Sequence, residues 1–204
     1  MLTGKTIAIT GHMNGLGKGL YDSLSKNNHC KGFDILNGYD IDKNIDTIIN
    51  ESKDYEIFIN NAYYLYRQVD LVKKWHLEHW SENHLIVNIS SAIADPNFPG
   101  RIIFPHLEEY IKEKESLDQA SADINLSDSK CKSTTVLPGM LYTKFKTPHD
   151  VDQLDPEITT EFCQKIFDRD CIMYVEEIVP VIESVIEQNF HPRRLISSII
   201  IHSR

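Results

Sequence analysis

The chain has 204 residues, 41% hydrophobic and 25% charged, enough to bury one core and ordinary enough to exclude disordered or fibrous architectures. A formal charge of -9 and a pI near 5.4 argue against a nucleic-acid binder, which needs a basic face to meet phosphates. No run approaches the roughly 20 apolar residues of a membrane helix, the N-terminus lacks signal-peptide regions, and Cys30, Cys131, Cys163 and Cys171 form no CxxC pair, so we expect a cytoplasmic protein with free thiols and no membrane segment.

Taken in order, the segments alternate. Thr6 to Thr10 is a short apolar run ending at Gly11, after which Leu16, Leu20 and Leu24 recur at helical spacing. That predicts strand, glycine turn and helix. A second strand is expected over Cys30 to Ile35, then a polar loop and a helix around Asp42 to Asn50. Strand Glu56 to Asn60, helix Val69 to Trp80 and the strongly apolar strand Leu85 to Ile89 follow. A long helix from about His106 to Asn125 leads to a strand over Thr134 to Leu137. The stretch from Thr143 to Val175 reads as loosely structured, with a short helix after Asp155. Helix Glu176 to Gln188 brings Ile178, Ile182, Val185 and Ile186 to one face, with Pro180 near its start, and Leu195 to Ile201 closes the sheet. This alternation predicts an α/β fold, a three-layer Rossmann arrangement with a doubly wound parallel sheet, forming a single domain over residues 1–204.

The segment Thr10-Gly11-His12-Met13-Asn14-Gly15-Leu16-Gly17 lies between the first strand and the first helix. Glycines there permit a tight turn and close backbone approach to a pyrophosphate, while the helix N-terminus supplies N–H groups and positive dipole character. Thr10, Gly11, Asn14, Gly15, Leu16 and Gly17 are therefore candidate cofactor-binding residues. Asp34 follows Gly17 by seventeen residues, near the offset at which a carboxylate meets the ribose hydroxyls of a dinucleotide. No arginine follows it, so NAD is favoured over NADP.

The spacing TGxxxGxG over Thr10 to Gly17 resembles the cofactor turn of the short-chain dehydrogenase/reductase family, and further segments follow in that family's order. Asp40-Ile41 resembles its adenine-contacting pair. Asn60-Asn61-Ala62 resembles the NNAG segment that ends the family's fourth strand, with Tyr63 in place of the glycine. Ile89-Ser90-Ser91 resembles the serine segment, and Tyr110 to Lys114 the YxxxK pair. Pro138-Gly139 to Thr143 resembles the PGxxxT segment after the sixth strand. Tyr39/Lys43 and Tyr142/Lys146 share the YxxxK spacing, but only Tyr110/Lys114 falls inside a predicted helix after the serine strand.

The resemblance implies an NAD(P)-dependent oxidoreductase acting on the alcohol or carbonyl group of a small molecule. Ser91, Tyr110 and Lys114 would be catalytic, and Asn61, Ala62, Pro138, Gly139 and Thr143 would join the cofactor set. Tyr110 would exchange a proton with the substrate oxygen, Ser91 would hold that oxygen, and Lys114 would lower the phenol pKa and bond the nicotinamide ribose. Thr143 would orient the nicotinamide, and the family suggests a homodimer.

Several features depart from that pattern. Nineteen residues separate Ser91 from Tyr110, including Pro96, Pro99, Gly100 and Pro105. The helix that supplies a supporting asparagine in the family offers only Gln68 near its start. A dinucleotide-binding protein with impaired catalysis and a regulatory or partner-binding role therefore stands as an alternative. Tyr110 and Lys114 also sit among Glu108, Glu109, Glu113 and Glu115, where they could be the face of a charged helix. His76, His79 and His84 lie near Trp80 without a metal-ligand spacing and are expected to be solvated.

Overall fold

The computed structural model describes residues 2–98, 107–142, 173–190 and 194–202. Six parallel strands form the main sheet: β1 (Thr6–Thr10), β2 (His29–Phe33), β3 (Ile57–Asn60), β4 (Leu85–Ile89), β5 (Lys132–Pro138) and β8 (Ser198–Ile201). Their order is β2-β1-β3-β4-β5-β8. Two-residue strands β6 (Leu141–Tyr142) and β7 (Met173–Tyr174) pair separately. The helices are α1 (Gly15–Leu24), α2 (Ile45–Ser52), α3 (Arg67–Glu78), α4 (Glu108–Leu126) and α5 (Val175–Asn189).

Alternation along the strands builds two cores. Ile7, Ile9, Ile57, Ile59, Val87 and Ile89 face α1 and α5, while Ala8, Phe58 and Ile86 face α2, α3 and α4. Helices thus cover both faces of the sheet, as the period-2 and period-3.6 patterns predict. The expected three-layer arrangement is present.

The six strands are the ones the sequence predicts, which leaves the sheet one strand short of the 3-2-1-4-5-6 arrangement. That arrangement has a strand beyond β2, but the chain passes from β2 through a 3₁₀ turn at Ile35–Asn37 and α2 directly to β3. The Asn60-Asn61-Ala62 segment consequently ends the third strand, and Pro138-Gly139 ends the fifth strand of the main sheet. The direction of winding still reverses at β1, which opens a crevice at the carboxyl ends of β1 and β3.

Other boundaries shift modestly. The second strand stops at Phe33 because the Asp34 side chain caps the following turn, accepting from Leu36 N at 3.0 Å. The last strand starts at Ser198 rather than Leu195, and α5 carries Pro180 internally. Residues 99–106, Thr143, Lys146, the segment after Asp155, Cys163 and Cys171 lie outside the described residues.

A buried polar ladder crosses the α4 side of the sheet. Asn60 Nδ2 donates to Asn88 Oδ1 (3.1 Å), Asn88 Nδ2 to Ser133 Oγ (3.1 Å), and Ser121 Oγ to Ser133 Oγ (2.7 Å). These side chains are almost wholly buried, so each bond offsets a desolvation cost that would otherwise stand. The ladder ties β3, β4 and β5 to α4. Asn88→Ala is expected to lower stability by about 2 kcal/mol by removing the central link. Urea unfolding should show a lower midpoint with an unchanged slope.

Candidate active site

Two groups of residues meet at the carboxyl ends of the strands. The first is the glycine turn. Gly11 has φ +70°, and a side chain there would meet Asn61 Nδ2 at 2.8 Å. At Gly17 a Cβ would lie 2.0 Å from the Gly11 carbonyl oxygen, so the first turn of α1 touches the loop before it. Asn61 Nδ2 donates to the Thr10 and Gly11 carbonyls (3.0 and 3.2 Å), and Thr10 Oγ1 accepts from Asn61 N and Ala62 N (2.9 and 3.0 Å). Thr10, Gly11, Gly17, Asn61 and Ala62 therefore form one knot joining β1 to β3.

The first helical bond of α1 runs from Lys18 N to Asn14 O (3.0 Å). Ahead of it, the N–H groups of Gly15, Leu16 and Gly17 find no acceptor among the described residues, and Asn14 makes no side-chain cap. Leu16 gives its side chain to the core, leaving its backbone as the available group. Such an uncapped helix start, without an acidic residue in its first turn, suits a phosphate-bearing ligand.

Asp34 is buried beside this turn. Its Oδ2 accepts from Met13 N (3.0 Å) and its Oδ1 from Leu36 N (3.0 Å), so it shapes the turn as well as placing a negative charge there. Asp40 closes the next loop, accepting from Asp42 N (2.9 Å) and pairing with Lys43 (3.3 Å), while the Ile41 side chain is part of the core.

The second group surrounds α4. Ser91 lies beside the half-buried Tyr110, close enough to act on its phenol, and its hydroxyl accepts from Ile93 N at 3.4 Å. The structure thus brings these two residues together although they stand nineteen positions apart. Lys114, one helical turn on, is only 3% exposed. Its Nζ donates to Gln68 Oε1 (2.6 Å) and to the Ile89 carbonyl (3.2 Å). Gln68 Nε2 in turn donates to the Asn60 and Ile89 carbonyls (3.0 and 3.2 Å), so this residue is the lysine's principal side-chain partner.

The electrostatics differ from expectation in one respect. Burial pushes the Tyr110 phenol up, only the neighbouring Ser91 hydroxyl works downward, and Glu113 adds to the rise. Lys114 does not lower it, because its ammonium turns toward Gln68 and Ile89 and lies 5.5 Å from the centre of the Tyr110 ring. Burial lowers Lys114 itself to about 8, opposed by Asp118 and Glu113. Asp118 is raised to about 6, again by burial, against the pull of Ser90 and Lys114.

Two residues were not foreseen in this cluster. Glu113, expected on a solvated helix face, is buried and accepts a hydrogen bond from the Tyr63 hydroxyl. Tyr63, standing at the glycine position of the NNAG pattern, meets Tyr110 edge to face with 5.1 Å between ring centres. The spacing of Glu113 three residues after Tyr110 was the available signal, since it shares the tyrosine's helical face. At the other end, Pro138 is buried and Gly139 N donates to the Ile201 carbonyl (2.9 Å).

The histidines correct another expectation, for His76 and His79 are buried and His84 partly buried rather than solvated. His79 stacks on Trp75 at 3.7 Å between ring centres, and its two ring nitrogens face the Trp75 and Lys53 carbonyls at 2.7 Å each. Carbonyl oxygens thus stand in front of both nitrogens, in the directions a metal would have to occupy. His76 is likewise buried. Among the described residues no group of three or more metal-ligating side chains occurs, and no helix is long and apolar enough to cross a membrane. Cys30 and Cys131 are free thiols, pushed up by burial to about 11 and about 12, which makes them poor nucleophiles.

Neither a protein-family model nor a curated protein sequence matches the chain. Solved structures do. A short-chain dehydrogenase/reductase of unknown function from Caenorhabditis elegans, solved with cofactor, superposes with a TM-score of 0.71 and 18% identity, covering 97% of this chain and 93% of that one. A short-chain dehydrogenase from Burkholderia cenocepacia in complex with NADP gives 0.67 at 14% identity, covering 98% and 89%. A 3-ketoacyl-(acyl-carrier-protein) reductase from Brucella melitensis complexed with NADH gives 0.67 at 15%, covering 99% and 98%. The chain has the Rossmann fold of the short-chain dehydrogenases/reductases.

Burial of Lys114 carries a consequence for stability. Its folded value of about 8 lies below the ordinary 10.5, so between these limits the unfolded chain binds more protons and stability rises with pH. From pH 7.5 to pH 9 the gain from this residue should be about 1 kcal/mol. Urea midpoints at the two pH values should differ less in Lys114→Met than in the wild type.

Proposed function

We propose that this chain is an NAD(P)-dependent oxidoreductase of the short-chain dehydrogenase/reductase type, forming one dinucleotide-binding domain and acting on an alcohol or carbonyl group of a small molecule. The observation that carries this reading is the approach of Ser91, after β4, to Tyr110 on α4, with Lys114 one helical turn away. When bound, the nicotinamide supplies or accepts the hydride. Everything else falls to the chain's own side chains.

The N–H groups of Gly15, Leu16 and Gly17 would bind the pyrophosphate, and the tight packing of Gly11 and Gly17 on Asn61 and Ala62 lets the backbone approach it. Asp34 would face the adenosine ribose, and its carboxylate supports a preference for NAD, since a 2′-phosphate would be repelled. Asp40 and Ile41 would bound the adenine side. Pro138, Gly139 and Thr143 would lie along the nicotinamide, with Thr143 orienting it.

Ser91 would hold the substrate oxygen while Tyr110 gives or takes its proton. A phenol raised by burial is a held proton donor, suited to carbonyl reduction. Gln68 positions Lys114 against the Ile89 carbonyl. We further propose a cytoplasmic homodimer, on the likeness to the family.

A second reading, a dinucleotide-binding protein with impaired catalysis, is favoured by the commitment of the Lys114 ammonium to Gln68 and Ile89 rather than to the Tyr110 hydroxyl. Turnover separates the two. Binding should be titrated with NADH and NADPH, followed by a panel of carbonyl substrates on wild type and Tyr110→Phe. The oxidoreductase reading expects tighter binding of NADH, and in the variant about 100-fold slower turnover with cofactor affinity retained. Equal turnover in both proteins removes Tyr110 from the chemistry.

A further inference from the structure

Tyr63 bears on the site in a way that its position after Ala62 does not disclose. The Lys114 ammonium is 3% exposed, whereas Tyr63 is 46% exposed. The Tyr63 ring centre lies 4.9 Å from Lys114 Nζ, nearer than the Tyr110 ring at 5.5 Å. Two of the three ammonium protons are committed to Gln68 Oε1 and the Ile89 carbonyl. The remaining side of the ammonium is therefore walled by two aromatic rings, of which Tyr63 is the nearer and the more exposed.

That ring is held in place from outside. The Tyr63 hydroxyl donates to the buried Glu113 carboxylate, and burial together with Glu113 pushes the phenol up, keeping it a donor. One helical turn earlier, the Tyr66 hydroxyl donates to Glu109 at 2.9 Å. Two tyrosines thus clasp the connection between β3 and α3 onto two glutamates of α4. Between them Leu65 takes φ +43°, a left-handed conformation costly for a branched side chain, so the clasp holds a strained loop.

We propose that Tyr63 is a positioning residue that gates Lys114: clasped to Glu113, its ring closes the approach to the ammonium and must turn aside before a hydroxyl-bearing ligand can bond it. The identity of that ligand as a dinucleotide ribose rests on the oxidoreductase reading above, but the barrier itself does not. Apparent affinity is divided by the fraction of open protein, so a closed gate weakens binding, and its removal tightens it without adding a contact.

Two readouts on wild type, Tyr63→Ala and Tyr63→Phe keep these ideas apart. The first is the rate at which acetic anhydride labels Lys114, followed by peptide mass spectrometry, with exposed Lys112 as internal reference. The second is titration with NADH and NADPH. We expect Lys114 to label about tenfold faster in Tyr63→Ala, and NADH to bind about tenfold more tightly, with Tyr63→Phe intermediate because it loses only the clasp. Tyr63→Phe, which keeps the ring, carries the test should the alanine variant not fold.

Unchanged Lys114 labelling in the folded variants overturns the gate, whatever the dinucleotides do. Faster labelling with weaker NADH binding also overturns it, by making Tyr63 a cofactor contact. Faster labelling with no dinucleotide binding in any of the three proteins leaves the gate standing and removes the oxidoreductase reading.

Discussion

Placing a lysine ammonium inside a protein removes its water, and that loss has to be met by neighbouring dipoles and charges. Lys114 is where this chain meets the requirement, and much of the surrounding structure answers to it. Gln68 and the Ile89 carbonyl take two protons, Glu113 and Asp118 supply opposing charge, and two tyrosine rings close the remaining side. The compensation is partial, which is why burial still brings Lys114 down to about 8 and lifts Asp118 to about 6. A lysine so poised responds to any added hydroxyl or charge, a property typical of functional sites.

The supports of Lys114 reach far into the sheet. Gln68 bonds Asn60 through both its side chain and its backbone, and Asn60 opens the ladder through Asn88 to Ser133 and α4. Asn61, the next residue, ties the glycine turn to β3. The adjacent asparagines Asn60 and Asn61 therefore connect the two halves of the site, one facing the lysine and the other the helix start. A parallel sheet with strand ends on one edge makes this convergence possible.

Regular hydrophobic periodicity made the layers legible. The short apolar runs Thr6 to Thr10 and Leu85 to Ile89, and the helically spaced leucines of α1, gave the correct elements, because strands buried on both faces read as apolar runs and a half-buried helix as a stripe. The glycine turn was legible for a similar reason, since Gly17 has no room for a side chain. Less legible were features decided by tertiary packing. Glu113 looks solvated in a run of charges until Tyr63 arrives from another element, and His79 looks like a surface histidine until Trp75 and Lys53 enclose it. The short sheet edge, by contrast, was legible, since the residues between the second strand and Glu56 to Asn60 read as a polar loop and a helix with no further strand. Gln68 was visible only as a substitute for an asparagine, yet it binds the lysine directly.

Likeness of fold at 14 to 18% identity leaves function to be argued from the site itself. The central claim is that one ligand spans both halves, with its phosphates on α1 and its reactive ring beside Ser91 and Tyr110. A crystal structure of the protein grown with NAD tests this most directly. The account predicts pyrophosphate oxygens on the N–H groups of Gly15 to Gly17 and a nicotinamide ring whose C4 adjoins a space within about 3–3.5 Å of both hydroxyls. A dinucleotide bound elsewhere, or one at the glycine turn with its nicotinamide directed away from Ser91 and Tyr110, would contradict it.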